Sequence, residues 1–272
     1  MPDIAAKDVM ALRQRTGLSM MECKKALVET GGDADAAEDF LRKKLKGKMD
    51  TRTDRVAGEG RIAIAVADNA AAIVELAAET DFTAKNESFA KVAQQIAEMA
   101  LGADAGDVTP DEAMAKVIDE LRISTGENIS ITRINKLAGD NAKFGTYVHH
   151  DGKTGVLLHA DASVSDDVAK DVCMHITAAM PRPQGVTRDD VPSELIEKER
   201  KLAMEMAIEG GKNEEIAAKM VEGKVNKLYS DLALIEQPFV KDDSKKIKDI
   251  VGGDDKIHAF RRWQVGETAS AE

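Results

Sequence analysis

The sequence predicts an α+β protein. It has an N-terminal module of three short helices, a duplicated α/β core of antiparallel hairpins plus helices, and an inserted antiparallel helical hairpin. Three observations carry this. Apolar residues recur at helical spacing at the start of the chain. Two strand–turn–strand patterns each run through a polar corner into an amphipathic helix. A charged stretch near the end holds two helical patterns either side of Gly210-Gly211. The expected divisions are 1–45 for the three-helix module, 46–60 for a linker, 61–139 and 140–192 for the two core halves, 193–231 for the helical hairpin, and 232–272 for the return to the core.

In the first module, Asp3 can cap a helix carrying Val9 and Leu12 that stops at Gly17. Ser19 and Glu22 form a capping box for a second helix, with Cys23, Ala26 and Leu27 on one face. Gly31-Gly32 ends it, and Asp33 opens a third helix with Ala37, Phe40 and Leu41. So compact a bundle resembles the ubiquitin-associated type of domain. Leu18, Met20 and Met21 sit beside its first turn and allow two readings: they close the small core, or they form a docking patch of adaptable side chains.

A basic, Gly-containing stretch from Leu45 to Gly60 reads as a tether, whose start can continue the third helix. Ile62, Ile64 and Val66 then alternate as in a half-buried strand, Asp68-Asn69 turns it, and Ala72–Ala77 returns as its partner. Alanine propensity alone would make that second run helical; the hairpin context overrides it. Glu79-Thr80-Asp81-Phe82-Thr83 forms the corner, and Phe89, Val92, Ala93, Ile96 and Ala100 mark the helix after it. Thr109-Pro110-Asp111-Glu112 signals a helix start with Thr109 as cap, and Glu127–Arg133 is strand-like.

The second pattern runs from Gly145 to His150, turns at Asp151-Gly152, and returns over Gly155–His159. Ser165 caps a helix with Val168, Val172, Ile176 and Met180, ended by prolines. The corner of this copy is Asp161-Ala162-Ser163, without an aromatic. A packing requirement common to both halves would appear in both, so Phe82 and its acidic neighbour point to function. Leu195, Ile196, Leu202 and Met206, then Ile216, Met220, Val225 and Leu228, supply the seam of the helical hairpin. That seam is self-paired or a contact with a second copy. Gln237–Val240 rejoins the core, Lys245–Val251 makes a short helix, and Ile257–Val265 a last strand.

Composition narrows the function. The 272 residues are 43% hydrophobic and 32% charged, as expected of a soluble globular protein. A net charge of -11 disfavours a sequence-independent nucleic-acid binder. No apolar run approaches membrane-spanning length, the start is acidic, and Cys23 and Cys173 have no nearby Cys partner, so a reducing cytoplasmic setting is expected. There is no Gly-rich phosphate loop and no dinucleotide fingerprint, so no cofactor or nucleotide site of its own is expected. His149 and His150, as neighbours on a strand, would point to opposite faces and share an ion poorly. His175 on an apolar helix face reads as a satisfied buried imidazole. Glu79 and Asp81 as a hydrolytic carboxylate pair lack a nucleophile, and a passive adaptor is the other alternative to a chain that acts on a partner.

Several motifs resemble one family, translation elongation factor Ts, in order along essentially the whole chain. Thr16–Leu27 is similar to its N-terminal signature and Glu79–Asn86 to its central T-D-F-V-A-K segment; Gly126–Ile129, Met174–Ile176 and Gln237–Val240 match further segments. Thr83 stands where the family usually has Val, reducing the apolar support expected beside Phe82, and Ala78 where Cys is common. The resemblance implies a guanine-nucleotide exchange factor, without chemistry of its own, for elongation factor Tu in its GDP-bound and nucleotide-free states. It implies that Phe82 wedges into the partner's G domain beside Asp81, flanked by Thr80 and Thr83, and dislodges Mg²⁺. It further implies that Leu18, Met20 and Met21 dock on that domain, that the tip His149, His150, Asp151 and Gly152 holds the partner's last β domain, and that the helical hairpin is the family's coiled-coil excursion.

Overall fold

The computed structural model describes residues 4–50 and 55–267. Asp3, expected to cap the first helix, lies outside them. Three helices open the chain: α1 (Ala6–Thr16), α2 (Met20–Glu29) and α3 (Ala34–Asp50). Gly17 closes α1 at φ 69°, and the Ser19/Glu22 capping box is formed at α2. Val9, Leu12, Leu18, Cys23, Ala26, Leu27, Ala37, Leu41 and Leu45 make their shared core. Helix α3 continues to Asp50, so helix occupies the first part of the stretch read as a tether.

The body is two sheets stacked face to face, with helices on the outer faces. The first contains β1 (Glu59–Ala67), β2 (Ala70–Ala78), β3 (Gly106–Asp107) and β4 (Ile129–Ala138), in the order β1-β2-β4-β3. Between β2 and β4 the chain makes α4 (Asp81–Ala84), α5 (Glu87–Ala100) and α6 (Glu112–Thr125). The second sheet contains β5 (Ala142–Val148), β6 (Thr154–Asp161) and β9 (Ile257–Gln264), in that order. Helix α7 (Asp166–Ala178) follows β6. Both sheets therefore build an antiparallel hairpin, add a helix, and pair a later antiparallel strand beside the second hairpin strand.

Ala63, Ala65, Ala72, Val74, Leu76 and Ala78 face the outer helices, where Phe89, Ala93, Ile96 and Ile118 cover them. Ile62, Ala71, Ile73, Leu137, Leu157 and Trp263 fill the space between the sheets. Strand β1 is thus buried on both faces, except at its end, where Val66 is exposed. The alternation of Ile and Ala marked two packed faces of different side-chain size, not a wet face and a dry one.

The inter-sheet layer also holds a charge pair. Glu75 is buried and accepts from Arg133 Nε at 2.7 Å and from the Gly266 amide at 3.0 Å. The Arg133 guanidinium lies 4.5 Å from the Trp263 ring centroid. Pairing and full hydrogen bonding make such a buried carboxylate tolerable.

After α7 the chain makes α8 (Ser193–Glu209) and α9 (Glu214–Leu232), folded back on one another across Gly210–Asn213. Their seam is built by Ile196, Ala203 and Ala207 against Ala217, Val221 and Val225. Leu195, Leu202, Met206, Ile216 and Met220, expected in the seam, face outward. A small hairpin of β7 (Pro238–Phe239) and β8 (Asp242–Lys246) precedes α10 (Ile247–Val251), so part of the expected helix at Lys245–Val251 is strand.

Two other boundaries moved. The cap of α6 is Asp111, whose carboxylate accepts from the Met114 amide at 2.8 Å, not Thr109. Helix α7 ends at Ala178, where Ala179 turns extended at ψ 138° on the approach to Pro181, leaving Met180 exposed. His175 is buried and neutral. Its Nδ1 accepts the Val240 amide at 3.3 Å and its Nε2 donates to Gln237 Oε1 at 2.9 Å, while burial lowers its pKa against that Gln237 bond. Burial pushes the Cys173 thiol up to about 12, which leaves it unreactive. Among the described residues, no helix is long and apolar enough to cross a membrane.

Candidate partner-binding site

The corner is where β2 ends. Ala78 is held between Glu59 of β1 and Ile129 of β4, so the last strand residue is fixed on both sides. Thr80 then takes an extended conformation, φ -128° and ψ 153°, and its hydroxyl caps the single turn of α4 by accepting the Thr83 amide at 3.4 Å. Asn86 caps α5 immediately afterwards. One turn of helix between two caps places Asp81 and Phe82 at the outside of the bend. The sequence located the corner but not this turn.

Phe82 is 84% exposed and is the sole aromatic among the large exposed apolar side chains of the described residues. Burying such a ring in a partner would stabilise a complex by roughly 1.5–3 kcal/mol. Asp81 accepts from Lys85 Nζ at 2.7 Å. That bond holds its carboxylate below the usual range, with a smaller attraction from Lys153.

Lys153 belongs to the β5–β6 turn, which folds onto the start of β1. Its Nζ lies 2.6 Å from Glu59, and the Gly152 carbonyl accepts the Ile62 amide at 2.8 Å. The structure therefore brings the hairpin tip to the same side of the body as the corner. Gly152 has φ 73° and is buried against the Arg61 side chain, so this residue serves the hairpin's own seat. His150 and Asp151 are exposed. The His149 and His150 rings are 4.1 Å apart, and His149 Nδ1 is 3.1 Å from Asp151. They do not point to opposite faces, because β5 ends at Val148 and both lie in the turn. Among the described residues, no three His, Cys, Asp or Glu side chains are grouped to hold a metal ion.

Of the N-terminal candidates, Leu18 is only 7% exposed and belongs to the three-helix core. Met20 and Met21 remain at the surface, at 39% and 62% exposed.

The sequence reading missed how the corner is braced. Glu127, in the turn between α6 and β4, accepts from the Thr80 hydroxyl and the Thr83 hydroxyl, each at 2.7 Å, and from the Thr80 amide at 3.2 Å. Thr83 is thus a polar anchor, and the expected loss of apolar support beside Phe82 is replaced by a hydrogen bond. Glu79 is held separately, accepting the Asn128 amide at 2.6 Å and meeting Arg55 at 3.3 Å. Glu79 and Asp81 engage different partners and form no carboxylate pair. Segments about 45 residues apart in sequence meet here, so no local spacing could have revealed the contact.

Comparison with known proteins places this geometry in context. The family model described as Elongation factor TS matches residues 79–267, starting at the corner itself. The chain belongs to the elongation factor Ts family. It is 40% identical over 275 residues to Elongation factor Ts of Thioalkalivibrio sulfidiphilus, covering 97% of this chain and 92% of the relative. It is 42% and 41% identical to proteins of the same name from Burkholderia thailandensis and Burkholderia mallei, covering 98% of this chain and 92% of each. Family membership thus extends over the N-terminal helices as well as the two sheets.

Proposed function

We propose that this protein is the guanine-nucleotide exchange factor for elongation factor Tu, and that Phe82 is the group it inserts into that partner. One observation carries the reading: a fully presented aromatic on a rigidly braced turn, in a chain of the elongation factor Ts family. In this reading Phe82 enters the G domain of the GDP complex with Asp81 beside it, flanked by Thr80 and Thr83. The intrusion displaces Mg²⁺, which offsets the charge of the diphosphate, and GDP leaves. A central aromatic is worth about 2 kcal/mol or more, and each ~1.4 kcal/mol is tenfold, so Phe82 supplies one to two decades. Met20 and Met21 of a ubiquitin-associated-like module, and the His149–Gly152 tip, contribute docking. The α8–α9 hairpin serves as the coiled-coil excursion. The protein performs no chemistry of its own, and linkage makes GDP weaken its hold on the partner by the same factor.

The test is release of labelled GDP from elongation factor Tu. The wild type is expected to accelerate release strongly, and Phe82→Ala to lose about one to two decades of that effect while still binding through other contacts. Binding with unchanged release kinetics would identify a passive adaptor instead.

A further inference from the structure

We propose that Glu127 is a positioning residue for the corner, holding Thr80 and Thr83 so that Phe82 is presented in one orientation before a partner arrives. Its functional consequence rests on the exchange reading above. Helix α4 is a single turn of four residues, too short to hold itself. Its intrinsic restraints are the 3.4 Å Thr80 cap, backbone bonds at 3.2 Å, 3.0 Å and 3.0 Å from the Ala84, Lys85 and Asn86 amides, and the exposed Asp81–Lys85 pair. The three bonds to Glu127 come from outside the turn, and the two from the threonine hydroxyls, at 2.7 Å, are shorter than every bond the turn makes within its own backbone. A carboxylate accepting from two hydroxyls and an amide makes charge-assisted bonds, which are stronger than neutral ones.

The geometry is specific. Oε1 takes both hydroxyls, one residue on each side of the Asp81-Phe82 pair, so the pair is suspended between two anchored threonines. Thr80 donates its hydroxyl to Glu127 and accepts the Thr83 amide, so one carboxylate orders the whole turn. Glu127 itself is carried on a stiff mount. Gly126, just before it, ends α6 at φ 75°, and Asn128, just after it, is tied to Glu79 on the other side of the corner. Thr83 joins this arrangement through its hydroxyl, which a valine could not.

Restraint before binding lowers the ordering cost at the interface. A contact group that loses its orientation by ~1 Å can lose on the order of a hundredfold in rate. Glu127→Ala is therefore expected to reduce stimulated GDP release by about tenfold to a hundredfold. Glu127→Gln, which keeps one oxygen for the hydroxyls but loses the acceptor for the Thr80 amide, should fall between. Thr83→Val should cost less than Glu127→Ala, since Thr80 keeps both of its bonds.

The decisive experiment is a double-mutant cycle read alongside amide hydrogen exchange in the free full-length protein. If Glu127 works through Phe82, Glu127→Ala adds little to the loss already caused by Phe82→Ala. Amides of residues 80–85 should lose protection while those of β1, β2 and β4 keep it. An equal loss in both backgrounds, or unchanged GDP release in Glu127→Ala, overturns the proposal, as does unchanged protection at the corner. A wild type that does not accelerate release refutes the exchange reading instead. The corner amides then decide on Glu127 alone: lost protection upholds its positioning role and retained protection refutes it.

Discussion

Asp81 and Asp161 occupy corresponding corners of the two sheets, and their carboxylates have opposite duties. Asp161 turns inward on its own loop, where it accepts the Ser163 hydroxyl and, at 2.9 Å, the Ser163 amide, with Lys256 at 3.5 Å. Those bonds, the Ser163 hydroxyl first, hold its pKa at about 2. A carboxyl depressed in the fold contributes stability above its unfolded pKa of 3.8 and loses it as pH falls through about 2. Carboxyl-carbon NMR should therefore place the Asp161 midpoint at about 2, and Ser163→Ala should move it up towards 3.8. Asp81 is lowered through Lys85, one helical turn along, and takes nothing from the corner backbone of its neighbours beyond α4. It leaves Thr80 and Thr83 to Glu127 and lies beside Phe82, paired with Lys85. The contrast of an aromatic corner with a plain one was legible in the two copies. The bracing was not, because Glu127 lies in another segment and its carboxylate has no local signature.

At the scale of the element, helix facing was legible where the buried face carries large or clearly spaced apolar residues, as in α2 and α5, and only partly legible in the α8–α9 hairpin. The α8–α9 hairpin shows why. Ile196 and Val225 lie in the seam as expected, but Leu195, Leu202, Met206, Ile216 and Met220 face outward, and Ala203, Ala207, Ala217 and Val221 complete the contact. Small side chains let two helices approach closely, and a sequence weighted by hydrophobicity undervalues them. The consequence is testable. Ala203→Leu should overpack the seam and destabilise the hairpin by about 1–3 kcal/mol. Leu202→Ala, at a half-exposed position, should change it by less than about 0.5 kcal/mol. Amide exchange across residues 193–232 measures both; the reverse order would mean that the large residues form the seam in solution. The same limit applied at the hairpin tip, where strand alternation was extended two residues too far. At His149 and His150 the chain has already turned, and residue alternation carries no sign of it.

Across the whole molecule, the duplicated hairpin–helix order was legible, but the stacking of the two sheets was not. Alternating Ile and Ala suggested one wet face, whereas the second sheet covers it, and only long-range contacts decide that. Gly155 of β6 packs directly onto Ile62 of β1 across the two sheets. A Cβ there would collide with Ile62 of β1, lying 3.1 Å from its Cβ and nearer still to its Cγ2, both close to the backbone on a stiff β-branched side chain. Close packing leaves no void to absorb a methyl group, so Gly155→Ala should cost about 1–3 kcal/mol by overpacking. Ile62→Ala should cost about 2–5 kcal/mol by opening a cavity. Because each change makes room for the other, the double variant should be less destabilised than the sum of the two, by a coupling of about 0.5–3 kcal/mol. Denaturant unfolding of the three variants measures it. Simple additivity would mean that the sheets yield around Gly155. They would then not be a rigid base, and the distance between the corner at Phe82 and the tip at His150 would not be set by their packing.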